Sequence, residues 1–177
     1  SIMRSPADKN KIELFMEQFG KKLKGEGRIY LTGGATALLH GWRSSTIDVD
    51  IKAAPEPPRY FETIAEIKES LDLNVELASP DQFIPELPGW ESRSLFIGRH
   101  GKVDFYHYDL YSQALAKLER GHERDLMDVE AMEARQLIRK ERLWELFEAI
   151  ESSLIRFPAL TPSKFAEIVR RYCGIER

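Results

Sequence analysis

The 177-residue sequence predicts an α/β (α+β) fold: a mixed β-sheet flanked by helices through the first two thirds, followed by a C-terminal helical bundle. Three observations carry that expectation. Residues 46–52 and 102–108 alternate with period two, residues 12–23 and 61–71 repeat apolar side chains at helical spacing, and helical signals continue without a break after Leu110. The expected division is a sheet core over 1–109 and a helical region over 110–177 packed on it. A hydrophobic content of 42% suits a single well-formed core. With 26 Lys and Arg against 29 Asp and Glu, bulk electrostatic binding of nucleic acid is excluded, and any such contact must be local. The lone Cys173 rules out an internal disulfide, and no apolar run approaches the ~18 residues of a membrane span. No signal segment opens the chain, so a cytoplasmic protein without membrane contact is expected.

Each element follows from local chemistry. Ser5-Pro6, Ser79-Pro80 and Thr161-Pro162 each pair an N-cap residue with Pro at the first helical position. After the first, Ile12, Phe15, Phe19 and Leu23 form one face of an amphipathic helix that Gly25-Glu26-Gly27 ends. A short strand at 28–31 runs into Gly33-Gly34 and a short helix at 35–40, closed by Gly41. In the strand at 46–52, Ile47, Val49 and Ile51 share one face and Asp48 and Asp50 the other. Pro55, Pro57 and Pro58 then break the chain before a helix at 60–71 and a strand at 74–77. Two strands flanking His100-Gly101 read as a β-hairpin. Its second arm sets Lys102, Asp104, Tyr106 and Tyr108 against Val103, Phe105 and His107. Residues 85–92, with Trp90, read as a loop near the sheet edge, able to cover a substrate. Gly121 separates two helices of the C-terminal region.

Asp48 and Asp50 are the informative pair. Residues i and i+2 of a strand share a face, so two carboxylates come within reach of one cation that would offset their repulsion. Mg²⁺ suits such a pair, because it takes a few carboxylates and completes its shell with water and phosphate oxygens. Asp104, on another strand with the same alternation, supplies a third acid if the two strands are neighbours, and three acids can hold two metal ions. The bland alternative is the solvated face of a half-exposed strand. Gly33-Gly34 weighs against it, since glycines between a strand and a helix let backbone N–H groups approach phosphate. Arg43, Ser44, Ser45 and Thr46 add donors for a triphosphate immediately before the acids.

The run GGATALLHGWRSSTIDVDI, residues 33–51, has Gly-Gly, thirteen residues, then Asp-Val-Asp. It resembles the signature of the DNA polymerase β-like nucleotidyltransferase superfamily, and within it the abortive-infection type toxin nucleotidyltransferases and their uncharacterised relatives. That resemblance implies a nucleotidyltransferase-type sheet, with Asp48, Asp50 and Asp104 holding Mg²⁺ and an NTP as substrate. The sequence departs from it at Gly34, where many members carry Ser. A second segment, ALAKLERGHERDLMD at 114–128, is similar to the Lys and Arg-Asp-x-x-Asp segment of the toxin-like branch. By that likeness Lys117 reaches the triphosphate and Arg124 a nucleotide or acceptor phosphate, with Asp125 and Asp128 orienting those cations. An interhelical salt-bridge cluster is the competing reading.

The resulting expectation is an Mg²⁺-dependent nucleotidyltransferase that moves a nucleoside monophosphate from an NTP, such as ATP, to an acceptor hydroxyl. By the resemblance, the acceptor is an RNA 3′ end, tRNA included, or a protein side chain. A toxin–antitoxin setting, with a cognate antitoxin protein as partner, goes with it. The rival expectation is a catalytically silent protein of the same fold that binds a nucleotide or a partner. The four histidines show no metal-ligand spacing, and Tyr106 and Tyr108 read as packing residues.

Overall fold

The computed structural model describes residues 4–176. The chain forms two compact units, one of residues up to 79 with 94–108, the other of 80–93 with the residues from 109 onward.

In the first unit, helix α1 (Lys9–Lys22) starts from Asp8, whose carboxylate accepts from Lys11 N at 2.9 Å. Ser5 does not cap it, because Ala7 is held extended by a two-way backbone bridge to Thr46 and the helix can begin only beyond that bridge. Strand β1 (Gly27–Thr32) leads into helix α2 (Gly34–His40), then strand β2 (Asp48–Ala53), helix α3 (Tyr60–Leu71) and strand β3 (Asn74–Glu76). Strands β4 (Leu95–His100) and β5 (Val103–His107) form the expected hairpin, with a bulge between Phe96 and Gly98. The sheet order is β3-β2-β1-β5-β4. β1 runs antiparallel to β2 and parallel to β5, so the sheet is mixed.

Alternation splits this sheet cleanly. Ile29, Leu31, Val49, Ile51, Val75, Val103 and Phe105 are buried with Ile12, Phe15, Phe19, Leu38, Ile64 and Ile67 of α1, α2 and α3 in one hydrophobic cluster. Each such side chain contributes roughly 1.5–3 kcal/mol on burial, which fixes which face of every strand turns inward. The opposite face carries Asn74, Glu76, Asp48, Asp50, Lys52, Arg28, Tyr30, Thr32, Asp104 and Tyr106, as the strand registers require. Tyr30 stacks on Tyr106 at 5.3 Å between ring centres and meets the edge of Tyr108 at 6.0 Å, so these rings pack on one another.

The second unit is helical: a 3₁₀ turn (Pro80–Gln82), α4 (Trp90–Arg93), α5 (Leu110–Arg120), α6 (Glu123–Ala134), α7 (Lys140–Ile150), a 3₁₀ stretch (Glu151–Arg156) and α8 (Pro162–Cys173). Trp90 is buried at the start of α4 rather than lying in an open loop, and residues 80–93 group with the helices, not with the sheet. Phe147 of α7 meets Phe165 of α8 edge-on at 5.1 Å. Asp109 caps α5, accepting from Tyr111 N and Ser112 N at 3.2 Å, and takes a two-pronged hydrogen bond from Arg93 at 2.8 and 3.0 Å. Among the described residues no helix is long and apolar enough to cross a membrane.

Candidate active site

The turn after β1 and the polar face of β2 meet at one point. Thr32, the last residue of β1, lies opposite Asp50. Gly33 follows with φ of +63°, a conformation open to glycine at little cost. A Cβ on Gly33 would stand 3.0 Å from Asp50 Oδ2, so the Asp50 carboxylate lies directly against the turn. The expected neighbourhood of Gly33-Gly34 and the acidic pair is therefore present.

Gly34 is required for a separate reason. A Cβ there would collide with the Thr46 hydroxyl and stand 2.7 Å from Thr46 Cβ. Thr46 thus fills the room that a serine at position 34 would use. Its hydroxyl donates to Asp48 O at 3.0 Å, which spends its one proton on the backbone. Arg43 is half-buried, and Ser44 and Ser45 are exposed. Gly34→Ala is expected to cost about 1–3 kcal/mol in urea denaturation, as overpacking does. Adding Thr46→Gly should recover part of that loss, giving a coupling term in a double-mutant cycle.

Asp104 does not join the pair. It lies opposite Arg28 at the start of β1, whereas Asp50 lies opposite Thr32, four residues further along. At about 3.3 Å per residue the two levels are about 13 Å apart along the strand, too far for metal ions ~4 Å apart to bridge. Asp104 instead accepts from Arg99 at 3.1 and 3.2 Å. Its face was correctly expected, but its level was not. The carboxylate that does flank the pair is Glu76: β3 runs parallel to β2 with Asn74 opposite Asp48 and Glu76 opposite Asp50. The sequence hinted at this only through the alternation of Asn74, Val75 and Glu76. The Asn74 amide donates to Asp48 Oδ1 and, at 3.4 Å, to Glu76 Oε1.

Behind the turn, Thr36 Oγ1 of α2 and His107 Nδ1 of β5 share a hydrogen bond of 3.0 Å, and the His40 ring stands 4.4 Å from that of His107. Burial, reinforced by the nearby His40, lowers the His107 pKa from 6.5 to about 3. A folded-state pKa below the unfolded one means that stability is complete above 6.5 and falls as protons bind the unfolded chain. Denaturant titrations at pH 7.5 and pH 5 should differ by about 2 kcal/mol more in the wild type than in His107→Gln, from ~1.4 kcal/mol per unit below 6.5.

The second expected patch lies wholly in the helical unit. Lys117 Nζ donates to Asp128 Oδ2 at 2.8 Å and stands 3.7 Å from Asp125 Oδ1. Asp125, 1% exposed, takes a two-pronged hydrogen bond from Arg120 at 2.5 and 2.8 Å and a third from His122 N at 3.2 Å. Burial alone would raise the Asp125 pKa. The Arg120 hydrogen bonds and charge, with Lys117 and the His122 amide, outweigh it and hold the carboxyl below its ordinary value. Arg120, not Arg124, is the arginine that the acids orient. Arg124 is exposed and joins no ion pair in this cluster, because one helical step turns it away from Asp125.

Comparison with known proteins places the chain. Residues 11–172 match the model of a family described as nucleotidyltransferase of unknown function, DUF6036. The chain belongs to that family, which takes in both the sheet with its Gly-Gly turn and the helical unit with the Lys117 cluster. No curated protein and no solved structure matches it.

Proposed function

We propose that this nucleotidyltransferase-family protein moves a nucleoside monophosphate from an NTP to an acceptor hydroxyl and releases pyrophosphate, using a divalent cation. The observation that carries the reading is the meeting of Gly33-Gly34 with Asp50, beside Asp48 and Glu76 on the same face of the sheet. Among the described residues no three His, Cys, Asp or Glu side chains close on one point as a finished metal cage. The donor set nonetheless fits Mg²⁺, which commonly takes one or two carboxylates and leaves the rest of its shell to water and phosphate oxygens. Asp48 and Asp50 would hold it, with Glu76 beside them on the neighbouring strand. Bound there, the ion would offset charge on the phosphates and make an acceptor hydroxyl easier to deprotonate.

The chain's own groups do the positioning. The backbone N–H groups after Gly33 face the triphosphate at the N-terminus of α2, where the helix dipole favours negative charge. Arg43, Ser44 and Ser45 bind phosphate oxygens from the 41–47 loop. The acceptor is an RNA 3′ end or a protein side chain in the cytoplasm, in keeping with the likeness of residues 33–51 to toxin-like nucleotidyltransferases. A cognate antitoxin would then be the protein partner.

The test is transfer of label from each α-labelled NTP, with Mg²⁺, to total RNA or to lysate protein. A labelled product made by the wild type and lost in Asp48→Asn/Asp50→Asn supports transfer. No product from any mixture, with NTP binding retained, supports the silent nucleotide-binding reading instead.

A further inference from the structure

The polar face of the sheet is graded along its strands, and the gradient leaves one aromatic ring, Phe96, open to solvent. Asp50 and Thr32 form the level nearest the Gly33-Gly34 turn. Two residues further along, about 7 Å, a row crosses four strands: Lys52, Tyr30, Tyr106 and Phe96, each opposite the next. Arg28, Asp104 and Arg99 form the level after that. Tyr30 is buried and stacks on Tyr106, while Phe96 stands edge-on to Tyr106 with ring centres 5.5 Å apart. Phe96 itself is 60% exposed. Its surroundings are basic: Lys52, Arg28, Arg99 and Lys102 of the hairpin turn stand with two acids, Asp104 and Glu26, both of which pair with Arg99. In a chain of net charge −3, that local excess of cations is a departure from the whole.

We propose that Phe96 and Tyr106, with the cations around them, form a stacking platform for the bases of single-stranded RNA, upstream of an acceptor 3′ end at Asp48 and Asp50. The position of the 3′ end rests on the transfer reading above; the platform itself does not. A ring held in place by a second ring offers a π-face to any base, and cations in the same and the next row meet the phosphates. Those two features together are what sequence-tolerant binding of a single strand requires. Duplex RNA does not suit the platform, because its bases are already stacked on one another. An apolar protein segment suits it less, because the ring is bordered by Lys52, Arg28 and Arg99 rather than by further exposed apolar side chains of the same face. Strand β4 is three strands from β2, about 14 Å across the sheet, so a chain of nucleotides leaving the carboxylates passes Lys52 on its way to Phe96.

The probe is a fluorescein-labelled oligouridine about ten nucleotides long, the size a single binding surface covers, read by fluorescence anisotropy on the full chain without metal or NTP. Phe96→Ala and Phe96→Leu should each raise the Kd about tenfold, the scale of one lost base stack, whereas Phe96→Trp should hold or tighten binding. Arg28→Gln should weaken binding and flatten its dependence on log salt by about 0.7. Phe96 lies outside the hydrophobic cluster, so the variants keep the fold, which an unchanged urea midpoint checks. A wild type that binds no oligouridine overturns the proposal, as does Phe96→Leu binding like the wild type, since leucine keeps the apolar contact and loses only the π-face. A wild type that is dimeric by light scattering and turns monomeric in Phe96→Ala assigns the ring to a second copy of this chain and overturns it too. RNA binding with the expected losses supports the platform even if no label is transferred to RNA, in which case the transfer reading fails alone.

Discussion

Asp48→Asn and Asp50→Asn should each lower nucleotidyl transfer by about 10³-fold, from the loss of roughly 4 kcal/mol of charge stabilisation in the transition state. Both side chains are half-buried on the polar face, and neither belongs to the hydrophobic cluster. Replacing a carboxylate with an amide of the same shape removes repulsion between the acids, so the unfolding midpoint should hold or rise. Glu76→Gln should fall between the wild type and the Asp variants, because its exposed carboxylate flanks the pair from the neighbouring strand. Asp104→Asn should transfer at the wild-type rate. That contrast, read as initial rates with labelled NTP, separates a site built on β2 and β3 from one built on β2 and β5.

The largest loss of stability is expected at Asp109. Its carboxylate is 1% exposed and accepts five hydrogen bonds: Tyr111 N, Ser112 N, Ser112 Oγ at 2.7 Å, and two from Arg93. Asp109→Ala removes the cap of α5 and strands the Arg93 guanidinium, which is 20% exposed and has Pro88 O as its other acceptor at 2.7 Å. A cost of about 3–5 kcal/mol follows, since a buried charge left alone is worse than a pair removed together. Asp109→Asn keeps acceptor oxygen for the helix N–H groups and should lose about half as much. Equilibrium urea unfolding of the two variants checks both values. A loss for Asp109→Ala below about 1 kcal/mol would mean that solvent replaces the carboxylate at Arg93.

What could be read from the residues alone depended on how local each interaction is. Asp48 and Asp50 share a face because alternation is a property of three consecutive residues, and Val49 beside them fixes which face is polar. The hairpin around Gly101 and the helix at Tyr60–Leu71 were legible for the same reason. Asp104 shows where such reasoning stops: its face follows from Val103 and Phe105, but its level follows from pairing with β1, more than seventy residues away in sequence. Glu76 was hidden likewise, since only the parallel register of β3 sets it opposite Asp50. Ser5 looked like a helix cap until the backbone bridge from Ala7 to Thr46 took that stretch of chain. Arg120 and Arg124 could not be ranked by spacing, because the two-pronged grip on Asp125 depends on how α5 and α6 fold back across Gly121.

The packing of Thr46 over Gly34 ties two distant positions to a common fate. Any lineage that acquires a side chain at position 34 must first shed bulk at position 46, and one that enlarges residue 46 is committed to glycine at 34. The hydroxyl beside the turn can thus migrate between the helix and the 41–47 loop, but the two positions cannot both carry one in this backbone. Related sequences should therefore sort into two groups by this pair, and a chimera joining the 34 side of one group to the 46 side of the other should lose the turn.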